Sequence, residues 1–359
     1  MLRKLKDLTV QMVAGANTAA VALMLFTAYS DHIDAAEHPA LAQAGLLFPV
    51  MLVMNLFFFA FWLMFSKRHA LIPVAGYLLC CIPIRTYFPI NIPRSAPEGA
   101  IKVLSYNVCG FRSVDGSPEW PNLTFEYIAN SGADIVCLQD GAVAYGLEQR
   151  VDSVLRSIYA HSDTARTQSG NCLRIYTTFP IVGKESIHYE SRTNRSVAYK
   201  LLINGDTVTV INNHLESNGL TTDERQRFKD MVKGRMNGKE VGVESKTLLG
   251  RLAATTRRRA PEAEAVARYV SKNMGKSIIL CGDFNDMPIS YTHHTIARHL
   301  TDCYVATGNG PGISYHLGGF YVRIDNIMCS DDWIPYACKV DSKAKTSDHY
   351  PIYCWLKRR

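Results

Sequence analysis

Five short polar clusters in the sequence each follow or end a run of residues with the composition of a β-strand. The clusters contain Asn107, Asp140, Asn213 with His214, Asp283 with Asn285, and Ser347 with Asp348 and His349. Polar residues at successive strand ends can converge on one rim of a sandwich, where carboxylate and amide oxygens suit Mg²⁺. The imidazoles could hold phosphate oxygens, and a carboxylate such as Asp325 could orient one of them and raise its basicity.

Each cluster taken alone has a simpler explanation. An Asp or Asn at the end of a strand is commonly a turn residue whose side chain bonds its own backbone. That explanation fits Asp283 and Asn285 within the segment GDFND. A functional interpretation therefore depends on the order of the clusters and on the strands that position them.

From residue 101 onward, short β-rich runs alternate with turn signals and helical stretches. Eight runs predict strands: IKVLSYNV, ADIVCLQD, CLRIYTT, SVAYKLLI, DTVTVINNHL, SIILCGDF, RIDNIMCS and YPIYCWL. Helical periodicity is best at AEAVARYVSK, where Pro261 and Glu262 indicate a helix start. Strands that outnumber helices and often pair with their neighbours predict an α+β sandwich, with two packed sheets and helices outside.

The first 90 residues contain three stretches without Asp, Glu, Lys or Arg. Residues 8–30 and 41–65 are each long enough to cross a hydrocarbon layer, and residues 69–84 form a shorter candidate. A buried core helix and a cleaved signal peptide are the alternatives. We predict a membrane anchor over residues 1–90, a Pro-rich linker over 91–100 and a folded domain over 101–359.

Basic residues predict the orientation of this anchor. Three basic residues lie within positions 3–6, and Lys67 and Arg68 follow the second stretch. Such residues mark the cytoplasmic side of a membrane. Three crossings place the C-terminal domain outside the cytoplasm, whereas two crossings leave it inside. We expect three, and hence a multi-pass cell-membrane protein whose C-terminal domain is extracytoplasmic.

The order of the motifs resembles the endonuclease/exonuclease/phosphatase superfamily, which includes DNase I-like nucleases, neutral sphingomyelinases and inositol polyphosphate 5-phosphatases. The resemblance covers about residues 100–359. It depends on an opening strand that ends in Asn107, a strand that ends in LQ-acid, Gly170-Asn171 leading to FPI, and then NHL, GDFN, RID and SDH. Within this superfamily, the chain most resembles the membrane-anchored bacterial members. The resemblance implies a four-layer DNase I-like β-sandwich with flanking helices, preceded by transmembrane helices.

The resemblance also implies a metal site. Asp140 stands where the family has a metal-binding Glu, Asn107 would support the same site, and Asp348 would add a metal contact. The ion is expected to be Mg²⁺, with Mn²⁺ as a substitute. Because Asp is one methylene shorter than Glu, its carboxylate would fall about 1.5 Å short unless the backbone adjusts. An active enzyme is favoured, and the alternative is a catalytically impaired membrane-tethered protein that binds a phosphate ligand.

The remaining matched positions imply catalytic roles in metal-assisted, in-line attack of water on phosphorus. Asp283 would align or deprotonate the water, while Asn285 and His214 would contact the scissile phosphate. Asp325 and His349 correspond to an Asp/His pair in which the imidazole stabilises developing charge or moves a proton. The resemblance therefore implies a Mg²⁺-dependent phosphodiesterase or phosphatase.

Composition leaves the phosphoester substrate open. The formal charge of +7 is too small for a nucleic-acid packaging protein, and the ten cysteines show no metal-binding spacing and are expected to be unpaired. Residues 229–259 carry nine Lys and Arg and three Asp and Glu, a net charge of +6. This segment is expected to be either a solvated surface loop or a footprint for nucleic acid or anionic lipid. A lipid head group and a nucleic acid both remain possible substrates, and no protein partner is inferred.

Overall fold

The computed structural model describes residues 2–111, 123–143, 148–191 and 193–359. The helices are α1 (Leu2–Ala28), α2 (Pro39–Ala42), α3 (Phe48–Phe65), α4 (Leu71–Leu79), α5 (Cys81–Tyr87), α6 (Leu123–Asn130), α7 (Glu148–Arg156), α8 (Thr222–Val232), α9 (Gly238–Lys272), α10 (Tyr291–Ala297) and α11 (Cys303–Thr307). The strands are β1 (Ile101–Asn107), β2 (Ile135–Gln139), β3 (His161–Arg166), β4 (Cys172–Thr177), β5 (Ile181–Ile187), β6 (Arg195–Ile203), β7 (Asp206–His214), β8 (Ile278–Asp283), β9 (Thr301–Asp302), β10 (Asp325–Cys329), β11 (Trp333–Val340) and β12 (Ile352–Arg358).

The strands form two six-stranded mixed sheets, ordered β11-β12-β1-β2-β4-β3 and β5-β6-β7-β8-β10-β9. In each sheet one central pair is parallel, β1 with β2 and β7 with β8, and the other pairs are antiparallel. The inner faces of the two sheets share one large apolar core. Helices α6 and α7 cover the outer face of the first sheet, and α9 and α10 cover that of the second. The predicted α+β, four-layer sandwich is confirmed.

All eight strands predicted from the sequence are present, and the structure adds four more. The added strands β3, β5, β9 and β11 are the four edge strands of the two sheets. An edge strand has a neighbour on one side only, so it needs less continuous apolar sequence than an interior strand. This explains why the predicted strands are the interior ones. Among the edge strands, β3 has the polar sequence HSDTAR and β11 contains Pro335.

The basic segment 229–259 is not a surface loop. It covers the end of α8 and the first two thirds of α9, whose N-terminus is closed by a capping box between Asn237 and Glu240. The predicted helix start at Pro261 is therefore wrong, because Pro261 lies inside this 35-residue helix. Four of the nine basic residues also have carboxylate partners, in the pairs Arg235–Asp230, Arg251–Glu224, Arg258–Glu216 and Arg259–Asp286.

The N-terminal helices bury several polar side chains between them and expose many large apolar ones. Two helical stretches, Asp7–His32 and Pro39–Phe65, have the length and apolar composition needed to cross a membrane. Between α1 and α3, the Asn17 amide donates to Asn55 at 3.2 Å and the Trp62 indole donates to Asn17 at 2.9 Å. Large apolar side chains such as Phe57, at 72% exposure, face outward. This distribution is typical of helices that pack in a bilayer.

The third apolar segment is helical but interrupted. It forms α4 and α5, which are separated at Cys80, and neither half alone has the length of a span. Gly76 of α4 packs against Val21 and Met24 of α1, and the Tyr77 hydroxyl donates to the Leu52 carbonyl of α3 at 2.8 Å. The three segments therefore form one helical group, and β1 begins after residues 88–100, which contain neither helix nor strand.

Candidate active site

Strand register brings three of the predicted site residues into one row. His214 at the end of β7 pairs with Asp283 at the end of β8, and Asp283 pairs with Asp325 at the start of β10. Because β7 and β8 are parallel and β10 is antiparallel to β8, all three residues lie at the same edge of the second sheet. Asn107 ends β1 in the facing sheet, and its amide reaches Asp283 at 2.9 Å.

Asp283 is the centre of the site. Its Oδ2 accepts from the Asn107 amide, and its Oδ1 accepts from the backbone N–H of Asn285 at 2.8 Å. The side chain is buried, and burial together with the neighbouring Asp325 charge raises the pKa of Asp283 to about 6, although His349 and His214 oppose the rise. A carboxylate with this pKa is ionised in most molecules at neutral pH yet can still accept a proton, as a general base must.

Asp283 depends on Gly282 for its position. Gly282 has a φ of +139°, and a Cβ there would lie 2.0 Å from the Asn213 carbonyl oxygen of β7. Only glycine permits this close approach of β7 and β8. The glycine of the GDFN motif therefore has a backbone function, which the motif alone did not reveal.

His349 and Asp325 form a buried pair beside Asp283. His349 Nδ1 lies 2.8 Å from Asp325 Oδ2, and His349 Nε2 lies 3.8 Å from Asp283 Oδ2. Burial opposes the charge on the imidazole, but Asp325 and Asp283 outweigh it and raise the pKa of His349 to about 10. The imidazole is therefore protonated at neutral pH in the metal-free protein, with Nδ1 held by Asp325 and Nε2 directed toward the site.

Asp140 reaches the same region despite its short side chain. One of its oxygens accepts from the Asn171 amide, and the other lies 3.4 Å from the Asn107 amide. Its backbone is in the left-handed region, with a φ of 49°, which turns the carboxylate toward the site as the chain leaves β2. Burial alone would raise the pKa of Asp140, but His214 and the Asn171 amide hold it below its ordinary value.

His214 lies between the two carboxylates. Its Nδ1 is 3.5 Å from Asp140 Oδ1, and its Nε2 is 3.8 Å from Asp283 Oδ2. Both distances are longer than ordinary hydrogen bonds, so the imidazole is close to both carboxylates without a short hydrogen bond to either. The ring also lines the cavity that contains Asp283.

Asn285 and Asp348 lie at the margin of the site. The Asn285 amide donates to the Leu215 carbonyl at 2.9 Å, and its backbone has a left-handed φ of 51°. Asp348 lines the cavity, but its side chain is bonded to the Ser347 hydroxyl at 3.3 Å. Among the described residues, no contact joins the Asp348 side chain to Asp140 or Asn107.

The carboxylate oxygens of the site fit a hard divalent cation. Asp140 supplies the donor type that Mg²⁺ prefers, and the Asn107 amide nitrogen lies 3.4 Å from one of its oxygens, while the Asn107 amide oxygen accepts from the Cys109 backbone N–H at 3.2 Å. A further buried group consists of Asp283, Asp325 and His349, with ligand atoms within 4.8 Å of one another. Asp325 Oδ1 is buried and has no hydrogen-bond partner among the described residues. Uncompensated carboxylate oxygens of this kind are suited to a bound cation or its water.

Four residues that support the site were given no role in the sequence analysis. Asn171 bonds Asp140, the Ser347 hydroxyl donates to the Asn107 carbonyl at 2.8 Å, and Ser314 accepts from the backbone N–H of Asp325 at 3.0 Å. The Tyr315 ring packs edge-on against His349 at 5.1 Å. Asn171 and Ser347 stand inside matched motifs, whereas Ser314 and Tyr315 lie in a loop with no sequence signal of its own.

Other polar residues near the motifs have structural roles. Asn213 is buried between strands and its amide donates to the Cys281 carbonyl at 3.2 Å. His293 pairs with Asp302 at 2.9 Å, and His294 approaches Asp31 instead of the cavity. His293 and His294 thus do not line the cavity that contains Asp283. The ten cysteines are free thiols, as predicted.

The comparisons with known proteins agree with this fold and motif order. Residues 104–349 match the sequence model of the Endonuclease/Exonuclease/phosphatase family, and the chain belongs to that family. Its members are phosphoester hydrolases. Residues 10–87 match a domain of unknown function, DUF8431. No curated protein matches the chain.

Several solved structures are similar to this chain at low sequence identity. The endonuclease/exonuclease/phosphatase from Beutenbergia cavernae is 15% identical, over 72% of each chain, with a TM-score of 0.52. The human Nocturnin catalytic domain with bound sulfate anion is also 15% identical, over 72% of this chain and 95% of that one, with a TM-score of 0.49. Truncated Caenorhabditis elegans TDP2 is 19% identical, over 72% and 97%, with a TM-score of 0.45.

Proposed function

We propose that the protein is a membrane-anchored, Mg²⁺-dependent phosphoester hydrolase in which an activated water attacks phosphorus in line. The observation that carries the proposal is the arrangement around Asp283. Asn107 holds this carboxylate, and His214 and His349 each lie 3.8 Å from its Oδ2. Metal-assisted phosphoryl chemistry needs a base, donors that stabilise negative charge, and a metal site. Here Asp283 is the buried base, the two imidazoles are the donors, and the Asp140 carboxylate lies nearby.

Asp283 would hold and deprotonate the attacking water. Its two oxygens are fixed by the Asn107 amide and the Asn285 backbone, so the direction of the carboxylate is set before substrate binds. Its pKa of about 6 leaves it mostly ionised at pH 7. Burial removes competing water, which strengthens its effect on a nearby nucleophile.

The imidazoles would stabilise negative charge on the phosphoryl group. Protonated His349 can donate from Nε2 while Asp325 holds Nδ1, and His214 can donate from the opposite side, beside Asp140. Asn285 would add an amide donor. Such preorganised donors favour the transition state because the charge on the equatorial oxygens is greatest there.

Asp140 would hold the Mg²⁺, with Mn²⁺ as a substitute, Asn107 would support this metal site through its contact with Asp140, and Asp348 would add a metal contact. When bound, the ion would supply neutralisation of charge on the phosphoryl oxygens and the leaving group. The contacts of Asp140 with Asn171 and Asn107 count against the alternative, a phosphate-binding protein with a crippled site. The shorter carboxylate still reaches the groups that a longer one would serve.

We also propose that α1, α3 and the α4–α5 segment form a three-segment anchor over residues 1–90, linked through residues 91–100 to the catalytic domain, residues 101–359. The buried Asn17–Asn55–Trp62 network and the exposed apolar surface support insertion in a bilayer. Lys67 and Arg68 lie at the end of the helical group remote from the catalytic domain. The positive-inside rule then places the catalytic domain outside the cytoplasm.

The direct test is hydrolysis of bis(p-nitrophenyl) phosphate by the full-length protein in detergent. We expect turnover with Mg²⁺ or Mn²⁺, none with EDTA, and loss of activity in Asp283→Asn. Turnover by Asp283→Asn equal to that of the native chain would overturn the assignment. Reporter fusions at residue 95 and at the C-terminus test the orientation separately, and a cytoplasmic signal at both sites would contradict the three-crossing anchor.

A further inference from the structure

The cavity above the candidate active site has walls from both halves of the chain. Its volume is about 650 Å³, and its floor includes Asp140, His214, Asp283 and His349. One wall comes from the apolar N-terminal region, through Ala42, Gln43, Leu46, Pro49 and Tyr87. The helices that would anchor the protein are thus also part of the substrate cavity.

Close contacts fix this wall against the catalytic domain. A Cβ on Gly45 would lie 2.2 Å from the Ile289 carbonyl oxygen, so the backbones touch there and glycine is required. Gln43 Nε2 donates to the Thr256 hydroxyl of α9 at 2.6 Å. Ile289 is itself buried in the cluster that contains Met24, Ala28, Phe48 and Cys80. The distance from the anchor to the active site is therefore set by packing.

The two ends of the cavity differ in chemistry. The floor carries carboxylates, amides and imidazoles, whereas the upper walls carry apolar side chains, among them Leu46, Leu220, Leu252, Leu317 and Phe320. Phe320 stacks on Phe228 with ring centroids 4.0 Å apart. An occupant that satisfies both regions has a phosphate at one end and a hydrocarbon chain at the other.

The apolar wall continues into the surface of α3. Leu46 is 38% exposed and Pro49 lines the cavity, while Leu47, Val50 and Val53, nearby in the chain, are all more than half exposed. A hydrocarbon chain could pass from the outer surface of α3 to the cavity along apolar side chains. The wall begins where the anchor leaves the proposed bilayer, so the cavity opens at the level of lipid head groups.

We propose that the substrate is a membrane lipid with a phosphodiester head group, bound with its phosphate on the floor and its acyl chain on the Leu46–Pro49 wall. This inference rests on the proposed function and narrows its substrate class. The oxygen of water forms a bond to phosphorus, and one ester P–O bond breaks. The leaving oxygen takes a proton and departs as an alcohol, and the other product is a phosphomonoester.

The chemistry of the site favours lipid over nucleic acid. A nucleic-acid groove needs a track of free cations along the backbone path. In the basic segment 229–259, Arg251, Arg258 and Arg259 are engaged by carboxylates, and Arg259 is buried. The apolar N-terminal wall contacts this segment through Gln43 and Thr256, and of the nine basic residues of the segment only Arg259 lines the cavity. The experiment that follows therefore includes a nucleic acid among its substrates.

The test compares matched substrates with and without acyl chains. Full-length protein is reconstituted in vesicles of equal parts phosphatidylethanolamine, phosphatidylglycerol, phosphatidylcholine and phosphatidylinositol. Phosphate-containing products are measured by mass spectrometry. The same protein in detergent receives the four deacylated glycerophosphodiesters, a single-stranded oligonucleotide and bis(p-nitrophenyl) phosphate. We expect one of the lipids to exceed its deacylated partner at least about 100-fold in rate.

A wall variant separates acyl binding from catalysis. Leu46→Ser should lower the ratio of lipid to bis(p-nitrophenyl) phosphate turnover at least about tenfold, whereas Val182→Ser, an equally polar change at an exposed position outside the cavity, should leave that ratio unchanged. Turnover of the soluble ester shows that each variant is folded. Soluble turnover without a lipid preference, an unchanged ratio in Leu46→Ser, or preference for the oligonucleotide overturns the lipid inference alone. No turnover of any substrate overturns the proposed function as well.

Discussion

His349 and Asp325 form a buried hydrogen-bonded pair in which Nδ1 lies 2.8 Å from Oδ2 and the side chains are only 5% and 1% exposed. The two residues are 24 positions apart in the chain, and Ser314 bonds both segments: its hydroxyl accepts from the Asp325 backbone N–H at 3.0 Å and its carbonyl accepts from the Tyr350 N–H at 2.6 Å. A charged imidazole at such depth is stable only because the carboxylate accompanies it. The protonation state of His349 thus depends on Asp325.

The first prediction concerns the titration of His349. Because its pKa is raised to about 10, the ring should keep its proton from pH 6 to 9 in the metal-free protein and lose it as the pH rises through about 10. Asp325→Asn should lower this pKa toward the ordinary value near 6.5 and lower kcat about 10²- to 10⁴-fold. Imidazole ¹⁵N chemical shifts report the titration. Asp206→Asn, at an exposed site, is the control, and an unshifted His349 in Asp325→Asn would refute the pairing argument.

The second prediction concerns metal affinity. Asp140→Ala removes a carboxylate that contacts Asn171, Asn107 and His214, so Mg²⁺ binding measured by calorimetry should weaken at least about tenfold. Asp140→Glu keeps the charge and should bind the ion in the native range. Equal Mg²⁺ affinity of the native chain and Asp140→Ala would place the metal elsewhere.

The third prediction separates a buried ion pair from an exposed one. Arg259 Nη1 lies 2.9 Å from Asp286 Oδ2 and the arginine side chain is 1% exposed. Asp286→Ala leaves a buried cation short of its partner, which should cost about 3 kcal/mol and lower Tm by about 6 to 12 °C. The pair Arg235–Asp230 is exposed to solvent, which screens the two charges, so Asp230→Ala should change Tm far less than Asp286→Ala does. Thermal unfolding, followed by tryptophan fluorescence, measures the Tm of each variant. Equal losses of stability in the two variants would contradict this account.

The fourth prediction concerns the backbone beneath Asp283. Gly282→Ala should destabilise the fold and abolish activity, because the new Cβ would meet the Asn213 carbonyl at 2.0 Å. Gly275→Ala is the matched control: Gly275 also has a positive φ, of +81°, but nothing lies within 4 Å of its Cβ position. It should show the smaller conformational cost alone. Comparable losses in the two variants would mean that strand contact is not what requires glycine at 282.

The interior of the fold was largely predictable because its signals are local. Interior strands are buried on both sides, so they are apolar and easily recognised. Asn107, His214 and Asp283 end such strands, Asp140 directly follows one and Asp325 begins one, whereas Asn285, Asp348 and His349 lie in adjoining loops. The edge strands β3, β5, β9 and β11 were not predicted, because they are only partly buried. The start of α9 was also not predicted, because its first turns have little apolar surface and its capping box at Asn237 and Glu240 lies far from the periodic segment.

The cavity was beyond prediction because it depends on long-range packing. No local pattern predicts that Leu46 and His214 line the same cavity, and this arrangement depends on the packing of Gly45 against Ile289. The same holds for Ser314 and Tyr315, which reach the His349–Asp325 pair from a loop. Sequence motifs identified the chemistry, whereas the surroundings that select a substrate required the tertiary structure.

The central claim is that Asp283 and its neighbours hydrolyse a phosphoester with the help of a divalent cation. The most direct measurement is the rate of bis(p-nitrophenyl) phosphate hydrolysis by the full-length protein, titrated with Mg²⁺ after EDTA treatment, beside Asp283→Asn and His349→Ala. We predict activity that returns with Mg²⁺ in the native chain and is lost in both variants. Hydrolysis that persists in EDTA, or that survives in either variant at the native rate, would contradict the account.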